Sequence, residues 1–138
     1  MNDADRSAAA EILIRFFGHL DAGNYDALAM LTAEDVIWTR LNKPLAGHAA
    51  ILAALAQRNP ARRTCHVLTN FIVDLMPGGL RLSALMLAFH GEAPQAGGPV
   101  PFEGIAAIRR MEAELRAAEE GFLIRRLSDT PLFIAAKH

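Results

Sequence analysis

The stretch Arg109-Arg110-Met111-Glu112-Ala113-Glu114-Leu115-Arg116-Ala117-Ala118-Glu119-Glu120 decides the fold. By propensity alone it is a strong helix, because Ala, Leu, Met, Arg and Glu are all good helix formers. Its surroundings argue otherwise. Upstream, Thr64 to Leu75 and Leu80 to His90 alternate with a period of two around Pro77-Gly78-Gly79, so they read as a β-hairpin. A loop rich in Gly and Pro follows, from Gly91 to Pro101. Downstream, Phe122 to about Ile134 reads as a further strand. The hairpin logic on both sides favours a strand from Phe102 through Leu115, then a turn over Ala117 to Gly121.

Toward the N-terminus the period is helical. Asp5 or Asp3 can cap a first helix, on which Ile12, Leu13, Phe16, Phe17 and Leu20 fall on one stripe. Gly23 is a stop signal, and Asn24 can cap a short second helix from Tyr25 to about Thr32. Val36 to Leu41 reads as a strand, and Asn42-Lys43-Pro44 as a turn. A third helix runs from Ala49 to Gln57 and is ended by Asn59-Pro60. Three helices followed by long antiparallel strands imply an α+β class. With 138 residues and no linker or internal repeat, the expected organisation is a single domain, 1–138. Its sheet must curve over the helices, leaving a conical pocket suited to a small molecule.

Composition narrows the function. A net charge of −1 gives no field to attract nucleic acid or an anionic membrane. The pairs Arg62-Arg63, Arg109-Arg110 and Arg125-Arg126 are not a basic patch with interleaved aromatics. Cys65 is the only cysteine, which excludes an internal disulfide and a cysteine metal cluster. The five histidines (His19, His48, His66, His90 and His138) have no metal-ligand spacing. No phosphate loop or dinucleotide fingerprint is present, so no cofactor is expected. The polar, acidic start does not resemble a secretory signal, and no run approaches the ~18 apolar residues of a membrane helix. A cytoplasmic protein is expected.

Few residues can carry chemistry. Asp21 lies in the last turn of the first helix, beside Phe17 at the rim of the apolar stripe. Its plain alternative is a solvated carboxylate at a helix end. His66 shares a strand face with Thr64, Leu68, Asn70 and Ile72, while Cys65, Val67, Thr69, Phe71 and Val73 occupy the other. Both faces are largely apolar, so alternation does not say which one faces the pocket. The alternative for His66 is a core histidine bonded to a backbone carbonyl. Arg110 shares a face with Gly104, Ala106, Ile108 and Glu112. There it could bind an anion, or simply pair with Glu112. His90 sits at a strand end, where exposure competes with a pocket role. Trp38 serves either the core or an aromatic pocket wall.

The order of these segments resembles a known family. The pattern runs Leu-Asp-Ala-Gly-Asn-Tyr-Asp-Ala-Leu from Leu20, Thr-Ala-Glu-Asp-Val-Ile-Trp from Thr32, Leu-Ala-Gly-His-Ala-Ala-Ile from Leu45 and Cys-His-Val-Leu-Thr-Asn from Cys65. It is similar to the SnoaL-like branch of the nuclear transport factor 2-like superfamily. The resemblance covers nearly the whole chain. It implies three helices on a strongly curved sheet around a pocket. Within the superfamily, the pattern resembles that shared by hexachlorocyclohexane dehydrochlorinase and scytalone dehydratase, cofactor-free lyases with an Asp-His dyad. By that resemblance Asp21 and His66 are the dyad, and Arg110 helps a leaving anion depart. His90 lies near the dehydratase's second pocket histidine. The dehydratase also uses tyrosines to hold its water. Here the only tyrosine is Tyr25, at a helix start, so that part of the mechanism does not carry over.

The resulting expectation is a small-molecule lyase or isomerase. Asp21 orients His66, and His66 takes a proton from carbon. Phe17, Trp38, Leu68, Asn70, His90 and Ile108 are expected to line the pocket, and Arg110 or His90 to face the developing anion. The rival reading is a non-catalytic binding or assembly domain of the same fold. Dimerisation through the open sheet face suits either one.

Overall fold

Residues 109–120, the ambiguous stretch, lie almost wholly in a strand. In the computed structural model, which describes residues 1–136, the elements are α1 (Asp3–Ala22), α2 (Tyr25–Met30), β1 (Thr32–Arg40), β2 (Lys43–Ala46), α3 (Gly47–Leu55), β3 (Arg62–Met76), β4 (Gly79–Glu92), β5 (Ala107–Ala118) and β6 (Gly121–Ile134). His138, considered above as a metal ligand, lies outside the described residues. Tertiary pairing outweighs helix propensity in β5, which bonds to β4 on one side and β6 on the other. Its alternation is clean. Met111, Ala113 and Leu115 are buried, while Arg110, Glu112 and Arg116 are exposed on the opposite face.

The six strands form one curved, unclosed sheet in the order β2-β1-β6-β5-β4-β3. Only β1 and β6 run parallel. The helices supply the other layer of the core. Leu13 and Phe16 of α1, Leu28 of α2 and Ile51 and Leu55 of α3 are buried with Val36, Leu82, Met111, Leu115 and Ile124 of the sheet. No helix among the described residues is long and apolar enough to cross a membrane.

Several boundaries differ from expectation for local reasons. The cap of α1 is Asn2: its side chain accepts from the Asp5 backbone N–H at 2.8 Å, and Asp5 reaches back to the Asn2 N–H. Asp5 is thus the reciprocal partner of a capping box. The segment around Pro44 is a short strand, because Leu41 and Asn42 make a two-residue hairpin turn with φ of 52° and 64°. β1 starts at Thr32 and ends α2 early. β5 starts at Ala107, leaving Phe102 exposed in the preceding loop.

One irregularity changes the reading of the His66 strand. β3 carries a bulge between Thr69 and Ile72, with Asn70 in the left-handed region at φ 57°. Thr64, His66 and Leu68 face inward before the bulge, and Phe71 and Val73 after it. The bulge swaps parity, so both sequence parities are apolar although only one face is buried. It also puts Asn70 and Ile72 out in solvent, off the face assigned to them from simple alternation.

Candidate active site

The site begins at the end of α1. Gly23, at φ 77°, donates to the Leu20 carbonyl, and Asn24 donates to that of His19, a Schellman ending. This places Asp21 in the last turn, where the helix dipole disfavours an anion. Three hydrogen bonds to its carboxylate offset that cost. Oδ1 accepts from the Thr64 hydroxyl at 2.7 Å and meets His66 Nδ1 at 2.6 Å. Oδ2 accepts from the His66 backbone N–H at 2.8 Å. β3 is an edge strand, and the carboxylate takes up an edge N–H that β4 does not reach.

The chemistry fixes the proton order. An ionised carboxylate only accepts, so His66 Nδ1 carries the hydrogen, and Nε2 of the neutral ring keeps its lone pair. The His66 and Asp21 side chains are only 13% and 19% exposed, so solvent screens their bond weakly. The Phe17 ring lies 5.3 Å from the imidazole, tilted by 40°. On the inner sheet face, His66 pairs with Ala88, which pairs in turn with Ala107. Both neighbours of the imidazole in that row are thus alanines.

The next row holds Leu68, Met86 and Arg109. Arg109 Nη1 donates to Asp129 Oδ1 at 3.0 Å, and both side chains are about three-quarters or more shielded. With β4 between β3 and β5, Arg109 stands about 9–10 Å across the sheet from the His66 strand, on the same face. Trp38 packs edge-on against Phe16 at 5.0 Å, and Arg40 lies 5.8 Å from its ring centre. Burial, reinforced by the nearby Arg58 charge, lowers the Arg40 pKa from the usual arginine value.

The structure thus brings Asp21, His66 and Phe17 together, with Leu68 one row away. Other expected members fall elsewhere. Arg110 is exposed, and it shares with Ile108 the β5 face opposite the core. The correction follows from alternation, since Met111, Ala113 and Leu115 claim the inner face. Asn70 is exposed at the bulge and its Oδ1 accepts from the Thr69 hydroxyl. Trp38 is almost wholly buried in the core. His90 pairs with Thr64, one row beyond His66, but is exposed at the strand end. An apolar hollow of about 320 Å³ adjoins it, lined by Cys65, Phe89, Gly91, Val100 and Phe102 among others, and His66 is not part of that lining.

Sequence reasoning missed Arg109 and Asp129. The polar run Arg110, Glu112, Glu114 and Arg116 against Met111, Ala113 and Leu115 was the signal that would have placed Arg110 outside. Sequence reasoning also missed Arg58, which no local pattern marks.

Comparison with known proteins agrees with this architecture. A family model described as a SnoaL-like domain matches residues 3–128. No curated protein matches. Among solved structures, an NTF2-like protein with a cystatin-like fold from Novosphingobium aromaticivorans is 19% identical, with a TM-score of 0.76 over 96% of this chain and 85% of that one. A candidate scytalone dehydratase from the same organism is 18% identical, with a TM-score of 0.75 over 96% and 87%. A Catenulispora acidiphila protein in complex with S-DNPA is 17% identical, with a TM-score of 0.72 over 93% and 95%. The curved sheet, its three helices and the match across most of the chain place this protein in the SnoaL-like domain family.

Proposed function

We propose that this chain is a cofactor-independent lyase or isomerase acting on a small, largely apolar organic molecule. The observation that carries the reading is the 2.6 Å contact between Asp21 Oδ1 and His66 Nδ1 in a shielded setting. It leaves Nε2 as the free basic atom. Nε2 takes a proton from carbon, and the electron pair left behind either expels a leaving group from the adjacent carbon or is reprotonated elsewhere. Asp21 stabilises the imidazolium formed. Arg109, not Arg110, is the β5 arginine on the inner face and is available to a developing anion, since one of its N–H groups is committed to Asp129 and others remain to donate. The likeness to a candidate scytalone dehydratase supports the class of reaction, and the likeness to a protein in complex with S-DNPA supports binding of a small molecule.

The test is solvent exchange. Small hydroxyketones and haloalkanes are incubated with the protein in D2O, and loss of C–H signal or release of leaving group is followed by NMR. Wild type is expected to act on at least one compound, and His66→Ala on none. Equal activity in His66→Ala would sink the mechanism. Binding without exchange across the panel would favour the non-catalytic reading.

The outer sheet face carries exposed Val67 and Ile72 on β3, together with Phe133 on β6. Apolar side chains concentrated on one sheet face suit pairing with a second copy of this chain. Light scattering at micromolar concentration should give twice the 15.0 kDa chain mass, and Val67→Glu should return it to the monomer value. A monomeric wild type would refute this assembly.

A further inference from the structure

We propose that Arg58 is a positioning residue for the Asp21–His66 pair, acting through the hydroxyl of Thr64. The inference rests on the general-base reading above and names the device that holds that base in place. Arg58 follows α3, just before Asn59-Pro60, far from Asp21 in sequence. Its guanidinium nevertheless reaches three separate elements. Nη1 donates to the Leu20 carbonyl at 2.8 Å and to the Tyr25 hydroxyl oxygen at 3.2 Å, while Nη2 donates to Thr64 Oγ1 at 2.9 Å. Leu20 is the residue before Asp21, Tyr25 starts α2, and Thr64 lies on β3.

Donor directions do the rest. A guanidinium has no acceptor, so Thr64 Oγ1 must accept from it. The single hydroxyl hydrogen of Thr64 is then left to point at Asp21 Oδ1, 2.7 Å away. The series Arg58 to Thr64 to Asp21 therefore runs in one direction. The Asp21 carboxylate is gripped from two sides, by the Thr64 hydroxyl on Oδ1 and the His66 backbone N–H on Oδ2. That grip fixes its rotation, and with it the line along which His66 Nδ1–H is held. By also binding the Leu20 carbonyl, Arg58 anchors the backbone from which Asp21 projects, and it places a cation at the C-terminus of α1, where the dipole favours one. Lysine cannot do this, because its ammonium is a point donor and cannot span carbonyl and hydroxyl as a planar fork does.

The experiment follows the His66 Nδ1–H proton by NMR on the full chain with 15N-labelled histidine, well below the unfolding temperature. Its exchange with water requires the pair to open. Arg58→Met, Arg58→Lys and Thr64→Val are each expected to speed exchange roughly two- to tenfold, the shift that loss of one net hydrogen bond produces. Thr64→Ser keeps the hydroxyl and should restore the wild-type rate, which a purely packing role for Thr64 would not do. The double variant Arg58→Met/Thr64→Val should fall short of the product of the two single effects, because both act on one bond series. Unchanged exchange in Arg58→Met and Thr64→Val, or strictly multiplicative effects, would overturn the proposal. The readout needs no substrate, so the device can fail while His66-dependent turnover stands. Equally, turnover can prove absent while the device stands.

Discussion

Asp21→Asn is expected to slow turnover about 10²–10⁴-fold, the range a positioned general base contributes, while the fold persists. The carboxylate accepts three hydrogen bonds through two oxygens. A carboxamide offers one acceptor oxygen and one donor NH2. If its oxygen takes the Oδ1 place, the NH2 confronts the His66 backbone N–H, donor against donor. If the NH2 takes the Oδ1 place, it confronts Nδ1–H. The backbone amide is fixed by the strand, whereas the imidazole can change tautomer and the Thr64 hydroxyl can turn its hydrogen away and accept through its second lone pair. The second orientation therefore wins: Nδ1 becomes the acceptor, and Nε2 gains the hydrogen. The base then carries its proton on the atom that should be empty. Turnover of the compound found by the exchange screen measures the loss, and 15N shifts of the imidazole report the tautomer. Wild-type turnover in Asp21→Asn would show that the ring works without its orienting anion. His66→Ala should lose activity to a similar extent while leaving Asp21 two of its three donors.

Much of the fold was legible because its signals were repeated. The apolar stripe of α1, the Gly23 stop and the Pro77-Gly78 turn each had an independent local cause, and each lies where expected. The β5 strand was legible only from its neighbours, since a strand's second and third partners are absent from its own composition. What failed was parity. A single left-handed residue, Asn70, shifts the inward face of β3 by one position, and nothing in Thr69-Asn70-Phe71 announces it beyond the tolerance of Asn for positive φ. The Arg110 error has a different origin. Resemblance supplied an arginine and a region, whereas alternation within Arg109 to Arg116 selects which of two adjacent arginines faces inward. Arg58 was illegible because its role is to join the ends of α1, α2 and β3, and no single segment encodes a junction.

Phe16→Ala should cost about 3–5 kcal/mol of folding free energy, the usual range for emptying a buried aromatic site. Phe16 has no solvent exposure. Its ring meets Phe17 at 5.1 Å and Trp38 at 5.0 Å, both edge-on, so removal forfeits two aromatic contacts as well as the buried area. The walls cannot easily close over the gap. Trp38 is held in register between Leu45 on β2 and Leu127 on β6, and Phe17 is committed to the imidazole of His66. Trp38 is the only tryptophan, so its fluorescence reports unfolding in urea from inside the affected cluster. Phe16→Leu, which retains most of the volume, should lose clearly less. A loss below about 1 kcal/mol in Phe16→Ala would mean that the cluster repacks freely. The same substitution reaches the site, because Phe17 is the wall that Phe16 supports. At a temperature where Phe16→Ala is still folded, exchange of the His66 Nδ1–H should therefore also quicken. An unchanged exchange rate beside a large stability loss would show that the imidazole is held by Asp21 and Thr64 alone.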